Sequence, residues 1–230
     1  VIRGIEEDFT EDVYETKRLL ARYEATRKPD ADEEEVLDTL LQAAIELVSQ
    51  DAPRWEMIAG RIAALIHNRE VEAFEQAKNL TSFYDKIVYL TEEGLYGEYI
   101  LEAYSKEDID ELSKLIDPLR DQELNFSGYE LLTARYTIRT HDREAVETVQ
   151  EMFLGIALHL AMKEDTAKRH EWVERFYGIL SMLQVTMATP TLSNARKPFH
   201  QLSSCFIDTV EDSLDGIYRS ITNFAQVSKY

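Results

Sequence analysis

The chain has one cysteine, Cys205, in 230 residues. No intrachain disulfide can form, and a reducing compartment, the cytoplasm, is the expected setting. Basic residues are scarce too: 25 Lys and Arg stand against 44 Asp and Glu, a formal net charge of -19. Nucleic-acid binding draws on a lysine- and arginine-rich surface, so no nucleic-acid partner is expected. An anionic ligand would have to meet a local cationic or backbone-donor pocket. No apolar run approaches the roughly 18 residues needed to span a bilayer, so no membrane partner is expected. The acidic start, with Glu6, Glu7 and Asp8, lacks the basic and hydrophobic pattern of a signal sequence. Metal motifs are missing as well. His170-Glu171-Trp172-Val173-Glu174 has no second histidine one turn on, and no paired Glu-x-x-His motifs occur for a di-iron bundle. No metal ligands are expected here.

What the chain does have is helical periodicity almost throughout, and with 44% hydrophobic residues it can bury a sizeable core. Val13, Leu19, Leu20 and Tyr23 predict one amphipathic helix in the acidic N-terminal part, with a loop at Lys28-Pro29-Asp30. Val36, Leu37, Leu40, Leu41, Ala44, Ile45 and Val48 trace a second helix. Asp51-Ala52-Pro53 stops it and opens a third, expected to end near His67. Phe83 to Tyr104 is rich in aromatic residues at helical spacing and reads as interhelical packing. Ser105 and Asp108 have capping-box character ahead of Ile109 and Leu112. Gly128 marks a turn, Thr137 to Arg139 a short extended piece, and Thr140-His141-Asp142 another turn. Two long core helices follow, from Val146 to Leu160 and from Trp172 to Leu183. The expected divisions fall at 1–31, 32–122, 123–186 and 187–230.

One stretch breaks this pattern. Thr189-Pro190-Thr191-Leu192-Ser193-Asn194-Ala195, then Ser203-Ser204-Cys205-Phe206, then Asp212-Ser213-Leu214-Asp215 gather hydroxyls, the lone thiol and a helix start. Pro190 disfavours helical backbone at Thr189, which predicts a helix end there and a row of hydroxyl and amide donors suited to an anion. Asp212-Ser213 reads as the N-cap of a helix carrying Leu214, Ile217, Tyr218, Ile221, Phe224 and Ala225. Its N-terminus is a second place for phosphate. On the residues alone two readings of Cys205 stay open: a buried small hydrophobe, or a thiol beside an anion site. The hydroxyls are equally compatible with ordinary turn chemistry.

The order and spacing of these three blocks resemble the large (alpha) subunit of class I ribonucleotide reductases. Glu147-Thr148-Val149-Gln150 resembles that family's Glu-Thr-x-Gln helix, and Phe126-Ser127-Gly128-Tyr129 and Arg175-Phe176-Tyr177 resemble parts of its helical N-terminal domain. Leu40 to Ile66 resembles the end of an ATP-cone with its linker helices, and Gln226 to Tyr230 the residues before a Gly-rich turn. The front of a cone is not seen, so no working overall-activity site is expected.

The resemblance implies a mainly α chain. A helical N-terminal domain would be followed by the first strand and helix of a ten-stranded α/β barrel, completed by residues outside this chain, as in a split subunit. It implies radical reduction of ribonucleoside diphosphates to deoxyribonucleotides. Thr189 and Ser204 would hold the substrate diphosphate, and Cys205 would be half of a redox pair whose mate lies outside this chain. Asp212, Ser213 and Leu214 would contact a deoxynucleoside triphosphate or ATP effector at the specificity site. Many relatives have glycine after Asn-Ala, where this chain has Arg196, so Arg196 and Lys197 would supply charge to phosphate instead. No cofactor is expected on this chain, the radical cofactor belonging to a separate beta subunit. The other implied partners are the rest of the alpha subunit, a second alpha subunit in a dimer, and a thioredoxin- or glutaredoxin-type reductant. Two competing readings are a docking scaffold and a nucleotide-sensing regulator without redox chemistry.

Overall fold

Several helices in this chain begin where short polar side chains hold the free N–H groups of a first turn. Asp32 accepts from the Glu35 amide, Ser82 from Asp85 and Asn125 from Gly128, at 2.9, 3.1 and 2.9 Å. Ser105 and Thr148 form reciprocal capping boxes with Asp108 and Glu151. Each such cap stabilises its helix by about 1 kcal/mol. The computed structural model describes residues 8–229. Its helices are α1 (Thr16–Thr26), α2 (Glu33–Glu46), α3 (Trp55–Lys78), α4 (Phe83–Glu92), α5 (Glu98–Ala103) and α6 (Lys106–Leu112). There follow α7 (Phe126–Arg135), α8 (Val149–Ala161), α9 (Arg169–Ser181), α10 (Thr189–Asn194) and α11 (Leu214–Lys229).

The long helix α3 is shared between two cores. Its first turns bury Trp55, Ile58 and Ile62 with Leu19 of α1 and Ala43 and Ala44 of α2. Its later turns place Ala63, Ala64 and Phe74 in the main core. Gly60 lies where α3 crosses the chain ahead of α7, and a Cβ there would sit 2.5 Å from the Leu124 carbonyl oxygen. Only glycine permits that approach. At the centre of the main core every residue of α8 except Leu160 is buried, its polar residues Gln150, Glu151 and His159 each meeting a polar partner. Helix α9 packs along it.

Several expectations are corrected. Helix α3 runs past His67 to Lys78. His67 is buried and donates from Nε2 to the Glu147 carbonyl at 2.9 Å, so it belongs to the helix; the stop is Asn79, in the left-handed region at φ 56°. Gly128 is inside the first turn of α7, its amide committed to the Asn125 cap. Ahead of α1, Asp12–Tyr14 form a 3-10 turn, which breaks the single N-terminal helix; the start of that expected helix, residues 1–7, lies outside the described residues. Among the described residues there is no strand. The extended piece at Thr137–Arg139 reduces to one isolated bridge, Arg139 to Ala145. The first barrel strand expected within 187–230 is not seen among the described residues, and residues 201–211 carry no regular structure; a strand needs a neighbour to pair its backbone N–H and C=O groups.

Two buried polar knots tie the helices together. Lys86 of α4 reaches Glu75 of α3 at 2.5 Å and Glu151 of α8 at 2.6 Å. Burial pulls the Lys86 pKa down, but the two carboxylates outweigh it and leave the pKa raised. In the second knot Tyr177 donates to Gln150 Oε1 at 2.8 Å, and Gln150 Nε2 donates to Asp121 Oδ1 at 2.7 Å. Burial pushes the Asp121 carboxyl up to about 6 from its ordinary 3.8. The folded chain therefore holds this proton more tightly than the unfolded one, so the stabilisation is complete below pH 3.8 and is lost as pH rises through about 6. Asp121→Asn, which keeps an uncharged acceptor, should gain stability over the parent by roughly 2 to 3 kcal/mol as pH rises across that window. Urea unfolding of both proteins across that pH range measures it, and a pH-independent difference would contradict the assignment.

Candidate functional site

The segment 189–197 is built from both ends. Thr189 and Pro190 open α10, with Pro190 in its first turn and Ala188 as the N-cap. The expectation that Pro190 would throw Thr189 out of helical backbone is thus corrected: proline is tolerated in a first helical turn, where its missing N–H has no partner to lose. Thr189 is exposed, and its Oγ1 lies 3.1 Å from the hydroxyl of buried Tyr136.

At the other end, Arg196 adopts φ 74°, a left-handed conformation that costs a non-glycine residue about 1 to 2 kcal/mol. Its side chain is fully buried and forms a fork-to-fork ion pair with Glu147: Nε to Oε1 at 2.7 Å and Nη2 to Oε2 at 2.6 Å. Nη1 donates to the Leu192 and Ala195 carbonyls at 3.0 and 3.1 Å, and Nη2 also to the Tyr136 carbonyl at 2.9 Å. Glu147 Oε2 accepts the Ile138 amide at 2.8 Å, and the Arg196 carbonyl accepts the Gly97 amide at 2.7 Å. Burial works against the Arg196 charge, but the Glu147 carboxylate outweighs it and raises the pKa. Gly155 of α8 makes room for this knot, since a Cβ there would meet Arg196 Cδ at 2.6 Å and the Tyr96 hydroxyl at 2.3 Å.

Arg196 was expected to supply charge to phosphate, and the structure corrects this. Every N–H of its guanidinium is spent inside the protein, so it acts by fixing α10. Lys197 is half-buried, and burial lowers its pKa. Its carbonyl accepts from the Tyr99 hydroxyl at 3.1 Å. Tyr99 in turn meets His159 Nδ1 at 2.9 Å, and burial holds His159 down at about 4.

Beyond this anchor the chain is open. Cys205 is an exposed free thiol in this chain. Ser204 Oγ lies 3.6 Å from its sulfur. Ser203 and Ser204 are exposed, whereas the side chain of Thr189 turns to Tyr136. Ser213 rather than Asp212 caps α11: its Oγ accepts the Gly216 amide and its carbonyl the Ile217 amide, both at 3.0 Å. Asp212 and Leu214 are exposed at that helix start. Asn223 of α11 donates to Asp208 at 3.1 Å, tying the helix to the open segment. The apolar face of α11, including Leu214, Ile217, Tyr218, Ile221 and Phe224, is exposed. Glu147, Tyr136 and Gly155 carry the geometry here without having been singled out for it. Glu147 lay within a recognised motif, which was the one available signal.

Removing one partner of a buried ion pair leaves an uncompensated charge, so Glu147→Ala and Arg196→Ala should each destabilise the protein by about 3 to 5 kcal/mol. The double variant Glu147→Ala with Arg196→Ala should lose less than the sum of the single losses. Urea denaturation of the set checks this; additive losses would contradict the coupling.

Residues 122–200 match the family model described as the ribonucleotide reductase all-alpha domain. Over 230 residues, all of this chain and 27% of the relative, it is 51% identical to the ribonucleoside-diphosphate reductase subunit alpha of Treponema pallidum (strain Nichols). The corresponding protein of Helicobacter pylori (strain ATCC 700392 / 26695) is 32% identical over 86% of this chain and 24% of its own length. The subunit alpha of ribonucleoside-diphosphate reductase 1 from Escherichia coli (strain K12) is 30% identical over 80% and 24%. The chain spans about a quarter of the length of the curated relatives it matches. With the capped Glu147-Thr148-Val149-Gln150 helix start and the anchored Thr189 segment inside the matched region, the chain belongs to the ribonucleotide reductase large (alpha) subunit family, of which it corresponds to an N-terminal portion.

Proposed function

We propose that this chain serves as the N-terminal part of a class I ribonucleoside-diphosphate reductase alpha subunit, with residues 187–230 opening its catalytic α/β barrel. Thr189 and Ser204 hold the diphosphate of the substrate. Asp212, Ser213 and the amide-bearing start of α11 at Leu214 receive a nucleoside triphosphate effector, whose phosphates suit the N–H groups of a helix start.

In the reaction the ribose 2′-hydroxyl leaves as water and a hydrogen takes its place. Two thiols, Cys205 and a cysteine outside this chain, each give up one hydrogen and join as a disulfide, so electrons balance. A dithiol of the thioredoxin or glutaredoxin type then reduces that disulfide by exchange, which requires an accessible sulfur. The radical that starts the sequence comes from a separate beta subunit. Holding the ribose beside the thiols before that radical forms supplies much of the rate.

The observation that carries this reading is the exposed Ser204-Cys205 pair, set between an anchored hydroxyl segment and a helix N-terminus, in a chain whose relatives are alpha subunits. The test combines the full-length alpha subunit with its beta subunit, a ribonucleoside diphosphate and a dithiol reductant. Cys205→Ser should abolish repeated turnover while leaving substrate binding intact. Turnover that survives the substitution would favour the docking or sensing alternatives.

A further inference from the structure

The geometry points to Tyr136 as a positioning residue for substrate phosphate, acting through Thr189. This rests on the proposed role of Thr189 in holding the diphosphate. The Tyr136 ring is buried at 5% exposure, with its hydroxyl 3.1 Å from the Oγ1 of exposed Thr189. A threonine hydroxyl has one hydrogen to give, and a diphosphate oxygen can only accept. If Thr189 donates to Tyr136, nothing is left for the ligand. When a diphosphate is bound, Tyr136 therefore donates to Thr189 Oγ1 and Thr189 donates outward, a two-hydroxyl relay in which each bond strengthens the other.

Tyr136 can impose this arrangement because it is itself held. Its carbonyl accepts from Arg196 Nη2 at 2.9 Å, and the same guanidinium grips the Leu192 carbonyl of α10 at 3.0 Å. Its amide donates to the Leu132 carbonyl at 2.9 Å, closing the end of α7. The tyrosine and the helix carrying Thr189 are thus fixed to one buried cation, and the distance between the two hydroxyls is set by the core.

The test is a kinetic series on the full-length alpha subunit with its beta subunit, varying ribonucleoside diphosphate. Tyr136→Phe should raise KM about two- to tenfold, the value of one hydrogen bond, with kcat and thermal unfolding unchanged. Thr189→Ala should raise KM at least as much, Thr189→Ser should restore it, and adding Tyr136→Phe to Thr189→Ala should change nothing further. A raised KM in Thr189→Ala beside an unchanged KM in Tyr136→Phe would overturn the relay while sparing the phosphate site. An unchanged KM in Thr189→Ala would overturn both. A Tyr136→Phe effect that adds fully to Thr189→Ala would show that Tyr136 acts by another route and would also overturn the relay.

Discussion

The buried fork between Arg196 and Glu147 is the constraint on which the site depends. Moving two charges out of water costs several kcal/mol for each, a penalty their attraction offsets only when geometry and hydrogen bonding are complete. Here they are complete: the guanidinium spends its donors on Glu147 and on the carbonyls of Tyr136, Leu192 and Ala195. The same residue stands in left-handed backbone at φ 74°, so local strain is carried by a long-range contact. One residue thereby joins the end of α7, the approach to α8 and the end of α10 through its guanidinium, and the loop before α5 through its carbonyl.

The rest of the helical body is arranged so that this fork can exist. Gly155 leaves the gap into which Arg196 and Tyr96 fit. Glu151, one turn ahead on the same helix, both closes the Thr148 capping box and pairs with Lys86, so the start of α8 is fixed from two sides. Glu147, just outside that start, inherits its rigidity. The contrast with the following segment is physical: residues 203–207 and the apolar face of α11 are exposed. A rigid body carries the hydroxyls of α10, and an open segment carries the thiol.

Much of the fold was legible in the sequence because its signals are local. The capping box at Ser105 and Asp108, the stop and restart around Asp51-Ala52-Pro53 and the apolar runs of α8 and α9 each involve residues a few positions apart. Errors arose where one residue type has two local uses. Pro190 ends a helix or begins one, Gly128 makes a turn or fills a crowded first turn beside Asn125, and the difference lies in neighbours that spacing does not reveal. Arg196 was misread for a further reason. Next to Lys197 and among hydroxyls it looks like a ligand-binding cation, but its partner Glu147 is 49 positions away, and only the packing of α8 against α10 brings them together. Tyr136 carried no signal at all, since its contact with Thr189 spans 53 positions.

The central claim is that the Arg196–Glu147 fork holds the segment bearing Thr189 to the helical body. Backbone amide hydrogen exchange in Glu147→Gln against the parent tests it most directly. Faster exchange should appear together at Ala195 and Lys197 of the α10 end, at Gly97, whose amide bonds to the Arg196 carbonyl, and at Ile138, whose amide bonds to Glu147, with the interior of α8 unchanged. Undiminished protection at Ala195, Lys197 and Gly97 in that variant would contradict the account.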